Sequence, residues 1–239
     1  RNTVAGVVRA WAFLKEQQVK EPTTVEGFRL VVGARLVFAD GTPDIVAYPV
    51  SRYGWGRLTR LLSTGNLRTQ KGDCTLELDD LLDHCDDLLL IVMEGDEACL
   101  RTLKRKRPKS VWLAATMPQS GADARRLAEL QRLSAVTGVP LLATNDALYA
   151  TKKQRPLHDI ITCIREGTSV SKAGKLLRAN GERHLKSADE MKRLFAFYPN
   201  AIEQSAKLLA RISFRLDHLQ YEYPHEPVPA GWKPFPYLH

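Results

Sequence analysis

Residues 88–115, LLLIVMEGDEACLRTLKRKRPKSVWLAA, run from one short apolar block through a helical pattern into a second apolar block. That is the unit of a βαβ crossover, and it repeats at once: a strand over 111–115, a helix over 123–137 and a strand over 140–144. Strands that alternate with helices of this length predict an α/β fold with a mainly parallel sheet.

Toward the amino terminus, Val4, Val7, Val8, Trp11, Phe13 and Leu14 recur near the helical period, with Asn2 or Thr3 as cap and Pro22 as stop. Residues 28–38 (FRLVVGARLVF), broken by Gly33, and 44–48 (DIVAY) flank the Asp40-Gly41 turn and predict a hairpin-like insertion. Residues 55–67 and 76–84 read as helices. Beyond Asn145 the strand signal fades, and helices are predicted over 157–166, 187–195 and 200–214. The stretch 221–239 carries five prolines with Tyr221, Tyr223, Trp232, Phe235 and Tyr237, and reads as an extended arm that packs by its rings.

The 239-residue chain is 44% apolar and 26% charged, a globular composition well away from that of disordered chains. Lys plus Arg number 35 against 27 for Asp plus Glu, so the formal net charge is +8 and its field favours polyanions such as nucleic acid. The apolar runs are shorter than the roughly 20 residues that span a bilayer, and no cationic-then-apolar leader pattern opens the chain. The expected setting is the cytoplasm, without membrane contact. Cys74, Cys85, Cys99 and Cys163 stand at least eleven residues apart with no CxxC pair, and are expected to be reduced thiols that mostly fill the core. A start at Arg1 that runs into a helix within three residues reads as a segment cut from a longer chain.

Ligand sites in parallel sheets lie beyond the strand carboxyl ends, so chemistry would sit at Ala143-Thr144-Asn145-Asp146. Asp146 is the best single candidate, as a metal ligand or as a turn cap. Glu94 and Asp96 follow the strand at 88–93 and read as caps before ligands. His84, His158, His184, His218, His225 and His239 form no HxH or HExxH pair, which excludes a sequence-local metal site. His158, at a helix start, either faces the strand-end crevice or packs structurally. Neither a GxSxG elbow nor a phosphate-binding loop occurs.

Arg101, Lys104, Arg105, Lys106, Arg107 and Lys109 put six cations into nine residues at a helix end, and Lys152, Lys153 and Arg155 form a second cluster near Asp146. Each cluster reads either as a solvated face or as a contact for a phosphate backbone, and the two together as borders of one surface.

Three strings are more specific: ATNDALYATKKQRPLHDIITCIREG (143–167), ANGERHLKSADEM (179–191) and LDHLQYEYPHEPVPAGW (216–232). With RNTVAGVVRAWAF (1–13), FRLVVGARLVF and TPDIVAYPVSRYGWGRLTRLLSTGNLR (42–68), they resemble the amino-terminal PHP (polymerase and histidinol phosphatase) domain and following segment of bacterial C-family DNA polymerases. The resemblance covers essentially the whole chain and is nearest to the error-prone, damage-inducible branch.

The resemblance implies a PHP-type distorted (βα)7 barrel lacking its first strand. Residues 1–154 would be the barrel portion, 155–220 a helical segment packed on it, and 221–239 a linker towards the polymerase palm. Intact members bind up to three metals at the strand ends, whereas here two implied ligand positions are degenerate. Arg35 closes Gly33-Ala34-Arg35 where the family often has Glu, and Leu148 closes Asp146-Ala147-Leu148 where it has an Asp-x-His ending. The family's HxH pair would precede Arg1.

The expectation is therefore no metal, cofactor or catalytic residue in this segment, with Asp146 as a vestige. The parent would be a DNA-directed DNA polymerase for replication and translesion repair synthesis, with Mg in its palm. Expected partners are DNA, the remainder of the polymerase chain, a sliding clamp and accessory mutagenesis proteins. Intact family members imply an alternative, a metal-dependent phosphoesterase or 3′–5′ exonuclease. Charge alone would also fit a free-standing nucleic-acid-binding protein.

Overall fold

A computed structural model describes residues 2–219. The linker expected over 221–239, with its tyrosines, Trp232 and Phe235, lies outside the described residues. The chain opens with α1 (Ala5–Lys20), then β1 (Ala34–Leu36), β2 (Ile45–Pro49), α2 (Arg52–Leu67) and α3 (Leu78–His84). Two βαβ units follow: β3 (Leu88–Val92), α4 (Glu97–Lys106), β4 (Val111–Ala115), α5 (Asp123–Thr137) and β5 (Leu141–Ala143). After them come α6 (Arg155–Arg165), α7 (Ala188–Leu194) and α8 (Pro199–Arg211).

The five strands form one sheet in the order β1-β2-β3-β4-β5, with β3, β4 and β5 parallel and β2 antiparallel to both its neighbours. The predicted α/β fold is present, but the sheet is mixed and not mainly parallel, because the two pairings of β2 are antiparallel while only β3-β4 and β4-β5 are parallel. The hairpin is not an insertion beside that core: β2 pairs along its whole length with β3, because Ile45, Ala47 and Pro49 are buried with the rest of the sheet. β3 and β4 are apolar and buried at every position, as strands covered on both faces must be.

The strand expected over 28–38 shortens to the three residues of β1. Asn2 lies along it, its backbone N–H donating to Arg35 O at 2.8 Å and its Oδ1 accepting from the Val37 N–H at 2.7 Å. Asn2 thus covers the sheet edge and does not cap α1; Thr3 Oγ1 accepts from the Ala5 N–H at 3.1 Å instead. Elsewhere local signals act as anticipated. Asp96 accepts from the Cys99 N–H at 2.7 Å to start α4, whose last turn carries Lys104, Arg105 and Lys106, the charges its dipole favours. α5 stops at Gly138, whose φ of 67° is left-handed.

Two apolar layers flank the sheet. On the outer face Leu36, Ile45, Leu90 and Leu113 pack with Leu58, Leu81, Leu100 and Leu127 from α2 to α5. On the inner face Leu89, Ile91, Trp112 and Leu142 meet Leu208 of α8 and Ile212 just beyond it. Trp112 anchors this side, with Nε1–H donating to Gln204 Oε1 at 3.0 Å and the Arg211 guanidinium 5.4 Å from its ring centre.

The sheet is strongly curled. Laid flat at about 4.8 Å per strand, β1 and β5 would stand about 19 Å apart. Yet Arg35 of β1 hydrogen-bonds Asp146, just past β5. Ser205 of α8 donates to Ala143 O on β5 at 2.6 Å, and Ser213 and Phe214 donate their N–H groups to Val50 O after β2, both at 2.8 Å. Helix α8 and residues 212–214 therefore span the mouth of the curl. No ladder joins β5 back to β1 among the described residues, so the sheet is open and mixed.

Candidate functional site

The carboxyl ends of β3, β4 and β5 open into a crevice of about 510 Å³ whose wall includes Arg35, Glu94, Arg126, Asp146, Arg178 and Arg183. Strand β1 supplies Arg35, the turn after β5 supplies Asp146, and the segment before α7 supplies Arg178 and Arg183. Strand polarity puts Asp146 where a ligand site was expected.

Asp146 lies between two guanidiniums. Arg35 Nη1 donates to its Oδ1 at 2.9 Å, Arg183 Nη2 donates to its Oδ2, and Arg183 Nε and Nη2 also donate to its backbone O at 2.8 and 2.7 Å. These bonds hold Asp146 at φ 44°, a left-handed conformation that aspartate tolerates better than most residues. Arg35 is shared, because its Nε donates to Asp44 Oδ2 at 2.6 Å.

Burial by itself lowers the Arg35 pKa, but the Asp146 and Asp44 carboxylates outweigh it and the net shift is upward. Arg183 is shifted down: burial leads and, with the charges of Arg178 and Arg35, overcomes the attraction of Asp146. Tyr48 is pushed up, first by burial and then by the Asp146 charge. Both arginines remain cations in the physiological range.

Such a donor set does not fit a divalent ion. A metal approaching Asp146 meets two positive charges where binding needs uncommitted carboxylates or imidazoles. Among the described residues, no three His, Cys, Asp or Glu side chains converge on one point.

The other anticipated positions fall as follows. Leu148 is half-buried and its N–H donates to Arg183 O at 2.8 Å. His158 packs edge-on against Tyr149, ring centres 5.8 Å apart, and does not line the crevice. Asp96 is a cap, while Glu94 is exposed on the crevice wall.

The two basic clusters do not border one surface, contrary to the expectation. A crossover helix returns antiparallel to its strands, so the end of α4 lies at the opposite end of the sheet from the turn after β5. Arg107 pairs with Asp86 at 3.1 Å and Lys104 Nζ donates to Gly138 O at 2.9 Å, both partners preceding a strand. Arg101 pairs along its own helix with Glu97 at 2.9 Å. Arg105, Lys106 and Lys109 are exposed and enter no ion pair among the described residues. At the other end Lys152 pairs with Glu182 at 2.7 Å, Arg155 with Asp159 at 3.5 Å, and Lys153 is exposed. Only this second cluster adjoins the crevice, through Glu182.

Sequence reasoning missed Arg183, Arg178 and Arg126. Arg183 reaches Asp146 across 37 residues of sequence, and the bridge between Tyr149 and His184 aligns the two segments; no local motif announces either.

No protein-family model matches the chain. Curated relatives match nearly all of it. One from Rhizobium meliloti (strain 1021), named error-prone DNA polymerase 1, is 49% identical over 234 residues and covers 95% of this chain. Others from Brucella abortus biovar 1 (strain 9-941) and Caulobacter vibrioides (strain ATCC 19089 / CIP 103742 / CB 15), both named error-prone DNA polymerase, are 48% and 42% identical over 238 residues and cover 97%. The relatives are error-prone DNA polymerases. The chain spans 20–22% of their length, so it corresponds to about one fifth of such a polymerase. Among the described residues no helix is long and apolar enough to cross a membrane.

Proposed function

We propose that the chain is the PHP module of an error-prone DNA polymerase, itself without catalytic residues, that braces the polymerase and offers cationic surface to DNA. The network of Asp44, Arg35, Asp146 and Arg183 carries this reading, because arginine–carboxylate pairs fill the strand-end position where a metal-dependent phosphoesterase would need free ligands. The same observation counts against the exonuclease alternative. A curled sheet that brings Arg35 and Asp146 together from opposite edges supports the barrel implied by the PHP resemblance, with residues 1–154 as barrel and 155–220 as the segment packed on it.

Identity of 42–49% with error-prone DNA polymerases supports a place in replication and translesion repair synthesis. In this reading Mg-dependent nucleotidyl transfer belongs to carboxylates elsewhere in the polymerase. DNA, the rest of that chain, a sliding clamp and accessory mutagenesis proteins are its partners.

The test uses the full-length polymerase, parent and Asp146→Asn, assayed for templated primer extension and for release of a mispaired 3′ nucleotide with Mn or Zn. Extension by both proteins and no metal-dependent release is the expected result. Release that disappears in Asp146→Asn would make the site catalytic. Absence of extension by the parent would remove the polymerase reading.

A further inference from the structure

Helix α6 turns its apolar side to solvent. Leu157, Ile160, Ile161 and Ile164 stand at i, i+3, i+4 and i+7, one continuous stripe, and are 57, 49, 55 and 74% exposed. The side turned inward carries the buried Thr162 and Cys163, with His158 against Tyr149. A helix of a soluble domain ordinarily faces its apolar stripe to the core. Aliphatic side chains exposed one at a time are ordinary, but four on one stripe make a patch of the kind that marks an interface.

Two observations select the occupant. The polymerase relatives are about five times as long as this chain, so about four fifths of such a polypeptide lies outside the matched portion. A segment on the same polypeptide meets the patch at an effective concentration in the millimolar range when the connection allows it, far above that of a free partner. Around α6 Lys153 is exposed, while Arg155 is held by Asp159 at 3.5 Å and Arg165 by Glu166 at 2.9 Å, on a chain of net charge +8. A second copy docked there would bring together two chains that each carry a net charge of +8.

We infer that the exposed stripe of α6 is the seat of an intramolecular interface, covered by an apolar surface from the part of the polymerase chain outside this portion. The inference rests on the polymerase reading above. Anchors at i, i+3, i+4 and i+7 are the recurring means by which one amphipathic helix fills an apolar groove.

Full-length polymerase carrying Ile161→Cys or Ile164→Cys tests it, since cysteine keeps a small apolar side chain there. Maleimide labelling of each site, read by peptide mass spectrometry, is compared between the native and the urea-unfolded chain. Labelling at least about tenfold slower in the native chain, unchanged on hundredfold dilution and without DNA, is expected for a tethered cover. Native labelling as fast as in the unfolded chain overturns the inference. Protection that is lost on dilution also overturns it and assigns the face to a second copy or a separate subunit. Templated extension by the same proteins reports separately on folding and on the polymerase reading, so the two failures are distinguishable.

Discussion

Arg35 and Asp146 are hydrogen-bonded at 2.9 Å although 111 residues and the full width of the sheet separate them. The pair ties one edge of the curl to the other, and both side chains are part-buried. Arg35→Ala leaves Asp44 without its partner and Asp146 with Arg183 alone, so the expected cost is about 1–3 kcal/mol. Arg35→Lys should recover only part, because one ammonium lacks the fork that serves two carboxylates. Urea unfolding midpoints at neutral pH measure both variants; an alanine variant as stable as the parent would mean that the pair contributes nothing to holding the edges together.

Gly54 and Gly56, two positions apart in α2, should answer alanine with opposite signs. A Cβ on Gly54 would stand 2.3 Å from Asp87 O, an oxygen already accepting from the Val50 N–H at 2.9 Å. Asp87 is pinned again through Oδ2, which accepts from the Ser51 and Gly54 N–H groups at 3.2 and 3.1 Å. With no room to move, Gly54→Ala should cost about 1–3 kcal/mol or more. Gly56 faces open space, and Gly56→Ala should gain about 0.5–1 kcal/mol through helix propensity. Thermal unfolding of the two variants side by side decides it, and equal signs would disprove the close approach.

The Cys99 thiol is pushed up to about 12, chiefly by burial, with the charges of Asp96 and Asp40 adding to it. Below that pH the group is a neutral thiol and a poor nucleophile. Raising the pH from 8 to 10 should therefore leave Cys99 unreactive in the folded chain. A thiol–disulfide reagent should modify the half-exposed Cys74 first, and Cys85, Cys99 and Cys163 only as the chain unfolds. Prompt modification of Cys99 under native conditions would contradict its burial.

In the proposed DNA-facing role, the exposed cations matter more than those already engaged. Arg105→Glu together with Lys106→Glu should weaken DNA binding by the full-length polymerase more than Arg107→Gln, whose parent side chain is held by Asp86. Every phosphate that is no longer neutralised should reduce the slope of log affinity against log salt by about 1. Lys153→Glu probes the other end of the sheet, and its effect should add to the first, since distant sites act independently. Fluorescence anisotropy at several salt concentrations measures this. Unchanged affinity and slope would make both clusters solvated faces.

Much of the architecture is legible along the chain because its causes act over a few residues. Helix α5 has the bounds 123–137 expected from the alternation of apolar blocks with helical patterns. The apolar blocks at 88–93 and 111–115 become β3 and β4 because strands buried on both faces must be apolar throughout. Strand polarity then places Asp146 at the strand-end crevice with no knowledge of its partners.

Those partners were settled only in three dimensions. The family resemblance marks Arg35 as a ligand position turned cation but not its bond to Asp146, 111 residues away, and Arg183, 37 residues after Asp146, is marked by no periodicity, spacing or motif. The same holds for direction. The pattern at 157, 160, 161 and 164 predicts a helix with an apolar stripe, but whether the stripe faces inward depends on what packs around α6, and here it faces out. Chain crossover likewise sends the end of α4 to one pole of the sheet and Lys152 to Arg155 to the other. Short-range forces select the elements, whereas the burial of one element against another decides which charges meet.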